Sequence, residues 1–508
     1  MKSFKFPIKT ALSVVLGTIT ISAFSNVEIA DKKKNIPQVT EQTLTQLIVK
    51  YRNESSMTVQ AASTGQSKSA LAQLQSQRIS SLQAVAQPFG ANFALKRQIA
   101  TGGWVYHSAI PLKPAEMRAL AAKLANSDPL IEYAEPDYIR HAMYVPTAPF
   151  YATYQWDMQA SAAQPGGLNL PAAWDTTMGK NIVVAVLDTG YRPHPDILPN
   201  LVPAQNNVPG QYGYNFISDP ATARLTPAPG ASSVRGYDGL DQGDWVPTGD
   251  TTCPSQAGKN SSWHGTHVTG TIAASGMGII GVAPLAKVLP LRVLGKCGGY
   301  DSDIADAVAW AAGLPISNIP NNTNKANVIN LSLGGSGVCT KTYAAVFQQA
   351  IAQGTTVVVA AGNANLDAKL SAPANCPGVI TVASSNLLGG RSFYSNFGGT
   401  VTVAAPGGGA TDYVQGSKSI KDVILSTLPT GKTTSTSDTS YGLMIGTSQA
   451  TPHVSGVIAL MLAIKPTLTP AQIKNILIST ARQAPANCPG CGSGIVDATA
   501  AVKAVAGS

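Results

Sequence analysis

Apolar residues 182–187 form an unbroken, β-branched run, the pattern of a strand buried on both faces. Similar runs recur at 287–293, 328–332, 355–360 and 379–383. Apolar residues at helical spacing predict helices over 264–274, 301–312, 342–353 and 448–464, with a short helical start at 170–175. Such alternation implies crossover units. The expected fold class is therefore α/β, a mostly parallel central sheet with helices on both faces. Between 201 and 262 the chain turns to Pro, Gly, Ser and Asp and reads as long loops. Upstream, the pattern predicts a strand at 44–52, a helix at 67–85, strands at 91–97 and 103–110, a helix at 114–125 and a strand at 130–134. That βαββαβ order makes a small α+β unit with its own core. A polar stretch, 141–154, separates the two parts, and no internal repeat is visible.

The 508 residues leave room for two or three domains, and 12% charged with 44% hydrophobic residues suits a compact globular protein. The net charge of +9 is unevenly placed. Up to Met143 there are 16 Lys and Arg against 9 Asp and Glu, whereas the remainder holds 19 against 17 and no Glu. No long basic run lies in that remainder, so a nucleic-acid partner is not expected. Residues 1–25 carry Lys2, Lys5 and Lys9, an apolar stretch at 11–21, then Ala23 and Ser25, the layout of a secretory leader. The apolar stretch is shorter than the roughly 20 residues a membrane-spanning helix needs. The expected product is secreted and extracellular, with no membrane association once the leader is removed, and no further module is expected after the last helical pattern.

Cys253, Cys297, Cys339, Cys376, Cys488 and Cys491 are even in number, which in an exported chain points to disulfides. Six cysteines allow 15 pairings. The sequential set, Cys253 with Cys297, Cys339 with Cys376 and Cys488 with Cys491, is the expected one. For Cys488-Pro489-Gly490-Cys491, zinc would need a second ligand pair and redox work a thioredoxin-like strand; a small structural loop is the better reading.

Three short segments carry chemistry. Asp188-Thr189-Gly190 ends the first buried run, His264-Gly265-Thr266-His267 opens a helix, and Gly446-Thr447-Ser448-Gln449-Ala450 leads into another. A serine hydroxyl needs a base, and that base needs a group to fix its tautomer. Asp188, His264 and Ser448 supply orienter, base and nucleophile in the chain order Asp, His, Ser. Taken singly, each has a plainer reading: an aspartic-protease tripeptide lacking its second copy, a structural histidine such as His267 or His453, a helix cap. Their order and context favour the joint one.

Val184-Ala185-Val186-Leu187-Asp188-Thr189-Gly190, His264-Gly265-Thr266-His267-Val268, Ile329-Asn330-Leu331-Ser332-Leu333-Gly334-Gly335, Ala361-Gly362-Asn363 and the run from Gly446 to His453 resemble the subtilisin-like (S8) serine proteases, of the bacterial secreted type. The resemblance implies a catalytic domain over 144–508 and, over 26–143, a prosegment that assists folding and then inhibits. Glu132-Tyr133-Ala134-Glu135-Pro136-Asp137 matches the end of that module, with cleavage expected within 141–150. It implies Asn363 and Ser448 as the oxyanion hole. It also implies two backbone clamps for an extended peptide, one of Gly298, Gly299 and Tyr300, the other of Ser332, Leu333, Gly334 and Gly335. Small residues at 371–376 should wall an open specificity pocket. The family usually has methionine after the nucleophile; Gln449 stands here, which predicts tolerance of peroxide. Structural calcium is common in the family, and Asp196, Asp238, Asp241 and Asp244 are oxygen ligands of suitable hardness. Asp301, Asp303 and Asp306 are read instead as a helix start.

No catalytic cofactor is implied. The expected partners are protein and peptide substrates and the chain's own prosegment, acting on a monomer. An esterase-like hydrolase would want a Gly-x-Ser-x-Gly elbow, and Ala450 stands at its last position. A binding protein that kept the fold without activity would be expected to lack a triad member or the prosegment.

Overall fold

The computed structural model describes residues 43–52, 65–138, 145–231, 233–409 and 422–507. The expected leader, 1–25, and residues 141–144 of the expected cleavage region lie outside them. Two compact units form, one within 33–142 and one from 143 onward.

The first unit contains β1 (Leu44–Tyr51), α1 (Gly65–Ala86), β2 (Phe93–Gln98), β3 (Trp104–Leu112), α2 (Pro114–Ser127) and β4 (Ile131–Pro136). Its antiparallel sheet has the order β2-β3-β1-β4. Leu47, Val49, Phe93 and Tyr106 from the strands meet Leu82, Met117, Leu120 and Leu124 from the helices in a core of its own. Pro114 starts α2, and Glu116 accepts from the Lys113 N–H at 2.9 Å, satisfying one of the groups a helix start leaves over.

The second unit is built on β5 (Val183–Asp188), β6 (Tyr214–Asn215), β7 (Gly236–Tyr237), β8 (Lys287–Arg292), β9 (Val328–Leu331), β11 (Thr356–Ala360), β13 (Ile380–Ser385) and β14 (Val403–Pro406), with two small antiparallel pairs beside them: β10 (Gly335–Ser336) with β12 (Ser371–Ala372), and β15 (Ile424–Thr427) with β16 (Tyr441–Met444). The eight-stranded sheet runs β14-β13-β11-β9-β5-β8-β6-β7 and is parallel except where β7 pairs with β6. The unit's longer helices are α3 (His264–Ala273), α4 (Asp301–Ala311), α5 (Lys341–Ala352), α6 (Thr447–Ile464), α7 (Pro470–Thr480) and α8 (Ala498–Ala506), beside the single turns Tyr151–Tyr154, Pro171–Trp174 and Pro220–Ala223. This is the expected α/β class.

Alternate strand residues, among them Leu187, Leu291, Ile329 and Val357, pack with Ile304 and Val308 of α4 and Phe347 of α5. On the other face α6 packs against β9, β11 and β13, and α3 against β5 and β8. Coverage on both faces is why these strands read as continuous apolar runs. Helix α6 is buried along nearly its whole length, so its apolar residues run all round it. Two-residue strands such as β6 and β7 are too short to show a period, which is why 201–262 read only as loops. The disulfides are Cys253–Cys297, Cys339–Cys376 and Cys488–Cys491. Among the described residues no helix is long and apolar enough to cross a membrane.

Candidate active site

Asp188 is the last residue of the central strand β5, and His264 is the first of α3. The His264 Nδ1 lies 2.8 and 2.9 Å from the two carboxylate oxygens of Asp188, and one of those oxygens also accepts from the Thr189 N–H at 2.8 Å. Glycine is needed beside the histidine: a Cβ at position 265 would fall 2.2 Å from the Gly190 carbonyl oxygen. The Gly265 N–H instead donates to Thr189 Oγ1 at 3.0 Å, and that hydroxyl donates to Asp241 at 2.6 Å, which stitches strand end to helix start. Burial of His264 works against its charged form, but the charge and hydrogen bond of Asp188 outweigh it and raise the imidazole pKa above 6.5. The Asp188 side chain is fully buried, whereas that of His264 is 20% exposed.

Ser448 sits in the first turn of α6, where backbone N–H groups lack helical acceptors. The residue before it, Thr447, donates through N–H and Oγ1 to Asn363 Oδ1 at 2.9 and 2.8 Å. That pins the Asn363 amide by its oxygen and keeps the Nδ2 hydrogens available. Pro452 has no N–H to give the Ser448 carbonyl. Ser332 Oγ fills that place at 2.8 Å, and Asn330 ties Ser332 to Ser455 farther along the helix. The Ser448 hydroxyl itself donates to the Ser332 carbonyl at 3.0 Å, so contact with His264 requires it to turn away from that acceptor.

His264, Ser448 and Asn363 line one cavity of about 990 Å³, together with Gly298, Gly299, the stretch Ser332, Leu333, Gly334, Gly335, and the wall Ser371, Ala372, Pro373. Tyr300 is not brought there: 57% exposed, it stands outside the lining as the residue before α4. Gln449 is buried, and its amide lies 3.6 Å from the Met444 sulfur.

The calcium expectation also needs correction, because the four carboxylates already have protein partners. Asp196 accepts from the N–H groups of Met277, Gly278 and Ile279, from Ser275 Oγ and from the Tyr441 hydroxyl. Asp238 takes the Tyr191 hydroxyl, and Asp241 takes Thr189 and the Gly243 N–H. Asp244 takes Lys259 and Ser262. Burial, with the nearby charge of Asp244, pushes Asp241 up to about 7, which shows how poorly solvated that carboxylate is. Among the described residues the one group with metal-like spacing is Asp250, Cys253 and Cys297, whose sulfurs are joined in a disulfide. The four aspartates do not fit a calcium ion.

Two interactions had no sequence signal: the Ser332 hydroxyl on the Ser448 carbonyl, and a second His–Asp pair, His453 with Asp157, 2.9 Å apart and both fully buried.

A mostly parallel sheet that carries an Asp–His pair at the end of its central strand, with a serine at the head of a buried helix, is a subtilisin-like architecture. The chain belongs to the subtilase family (peptidase S8), whose profile matches residues 179–495. It is 43% identical over 413 residues to an extracellular protease of Xanthomonas campestris pv. campestris, covering 80% of this chain and 65% of that protein. An extracellular basic protease of Dichelobacter nodosus is 39% identical over 412 residues, covering 78% and 62%. The chain thus spans somewhat less than two thirds of the length of these relatives. A solved protease from Pseudoalteromonas arctica superposes with a TM-score of 0.64 at 46% identity, covering 71% of this chain and all of that one.

Proposed function

We propose that residues 144–508 form a secreted serine endopeptidase, synthesised behind a removable leader (1–25) and an inhibitory prosegment (26–143). The observation that carries this reading is the 2.8 Å contact of His264 with buried Asp188 in the cavity that also holds Ser448 and Asn363. An extended peptide pairs with the clamps at Gly298–Gly299 and Ser332–Gly335, and the small side chains at 371–373 leave room for its specificity residue. His264 Nε2 takes the Ser448 proton as Oγ bonds to the scissile carbonyl carbon. The Ser448 N–H and Asn363 Nδ2 receive the oxyanion. His264 then gives its proton to the leaving amine as the C–N bond breaks, and water, activated the same way, frees the acid. Asp188 stays ionised and holds the imidazole in the tautomer with Nδ1–H.

Intact masses of wild type and Ser448→Ala, exported side by side, test the reading. A shortened wild type beside a full-length variant supports a nucleophile that cuts peptide bonds. Two full-length products would favour an inactive protein of this fold. Equal shortening would assign the processing to another protease, and hydrolysis of a peptide substrate by the wild type, absent in the variant, would then decide.

A further inference from the structure

His453 lies in α6 five residues beyond Ser448, and neither it nor its carboxylate partner is exposed. Its Nδ1 is 2.7 Å from the Gln449 carbonyl oxygen and its Nε2 is 2.9 Å from Asp157 Oδ2. A carbonyl can only accept, so Nδ1 carries hydrogen, and Asp157 holds the ring in the plane that aims this N–H at the carbonyl. Gln449 directly follows Ser448. Two neighbouring peptides are also tied by side chains: the Ser448 carbonyl by Ser332, and the Thr447 carbonyl by Thr451 Oγ1 at 2.7 Å.

Asp157 belongs to the single turn Trp156–Met158, which is threaded into the unit by its neighbours. Gln155 exchanges two hydrogen bonds with the Ile280 backbone, at 2.8 and 2.9 Å. Trp156 Nε1 donates to the Val423 carbonyl at 3.0 Å. Among the described residues, His453 is the only side chain bonded to the Asp157 carboxylate.

Resting on the protease reading above, we propose that Asp157 and His453 are positioning residues for the nucleophile: Asp157 orients His453, and His453 Nδ1 fixes the carbonyl of Gln449, the residue after Ser448, and with it the direction of the Ser448 hydroxyl. The N-terminal stretch of the catalytic unit thereby helps to set the geometry of the attacking group. Neither residue touches the substrate. Their effect falls on the rate of attack and leaves the clamps, and so substrate binding, unchanged.

Isosteric replacements separate this role from simple anchoring. The amide nitrogen of asparagine overlies histidine Nδ1, and that of glutamine overlies Nε2. His453→Asn keeps the bond to the Gln449 carbonyl and gives up Asp157. His453→Gln keeps Asp157 and gives up the carbonyl. The readout is the rate of Ser448 phosphonylation by a fluorophosphonate per folded molecule, with kcat and KM on a peptide where processing is complete. His453→Gln and Asp157→Ala are expected to lose roughly tenfold or more in rate at unchanged KM, the kind of loss a slight misplacement of an attacking group brings, while His453→Asn stays within about threefold of wild type.

The reverse order, with His453→Gln the milder change, would show that the pair only anchors the segment, and would overturn the proposal. So would wild-type rates in both histidine variants. Should Asp157→Ala fail to fold, the two histidine variants still decide. A wild type that does not react, behaving like Ser448→Ala, would overturn the protease reading and this inference together; a reactive wild type confines any failure to the pair.

Discussion

Among its described residues the second unit holds two His–Asp pairs of nearly the same length, and they differ in what surrounds them. His264 meets Asp188 on the lining of a cavity and is partly exposed, whereas His453 meets Asp157 where neither side chain reaches solvent. In the first pair Nδ1 faces the carboxylate, so Nε2 is left for chemistry. In the second both ring nitrogens are engaged, Nε2 by the carboxylate and Nδ1 by a backbone carbonyl. On the reading proposed above, the same two side chains make a base in one place and a fixture in the other. Access to a free nitrogen decides which.

Removing each histidine's function should therefore separate activity from stability. His264→Ala is expected to lower kcat by about 10⁶, the size of loss described for removal of the histidine in a subtilisin, with a modest change in unfolding midpoint. Asp157→Ala leaves a buried imidazole without its partner and should cost about 3–5 kcal/mol of stability. Activity assays paired with urea unfolding check both. A large stability loss in His264→Ala, or none in Asp157→Ala, would break the distinction.

Removal of the Asn363 amide comes next. Asn363→Ala should lose roughly 10²–10³ in kcat at unchanged KM, since its Nδ2 hydrogens stabilise charge only as it develops. Thr447 also loses its acceptor in that variant. Asn363→Asp keeps that acceptor and places an anion where the oxyanion forms, so it should be at least as slow. Recovery of kcat in Asn363→Asp would assign the residue to holding Thr447 instead.

What the sequence made legible was whatever local pattern controls. Strands covered on both faces read as apolar runs, and Asp188, His264 and Ser448 each stood beside glycines that mark close backbone approach. Partnerships across the chain were not legible. Asp157 and His453 are 296 residues apart, and neither has a neighbour that signals the other. Pro452 within a helix leaves one carbonyl without its usual donor, but nothing local points to Ser332 as the substitute. The aspartates after residue 195 misled for the converse reason: closeness in sequence suggested a shared cation, while the donors that satisfy Asp196 come from 275–279 and from Tyr441.

Acidity acts on the exposed and buried histidines with opposite signs. Because Asp188 raises the pKa of His264 and the base must be neutral, kcat/KM should fall tenfold per pH unit below a point above 6.5, and Asp188→Asn should move that limb down in what activity remains. The raised His264 pKa adds stability that is fully present below 6.5 and is lost as pH rises through the folded value. Burial instead lowers His267 to about 3 and His194 to about 4. The unfolded chain binds those protons first, so stability should decline as pH falls from 6.5 towards 4. Urea midpoints across this range check it; a flat profile would mean that these two imidazoles take up protons in the folded state as readily as in the unfolded one.

The smallest effect is expected where a buried carboxylate has many donors in place of one. Asp196 is held by three N–H groups and two hydroxyls drawn from 275–279 and β16, so Tyr441→Phe removes one bond of five. The rest of the set keeps the charge solvated, and the phenylalanine ring can keep the edge contacts with His194 and Phe150. The loss should be about 1 kcal/mol, the net worth of a single hydrogen bond, against about 3–5 kcal/mol for Asp157→Ala. Equal losses at the two sites would mean that the number of donors does not govern the cost of disturbing a buried charge here, and the contrast between a redundant collar and a single partner would have to be abandoned.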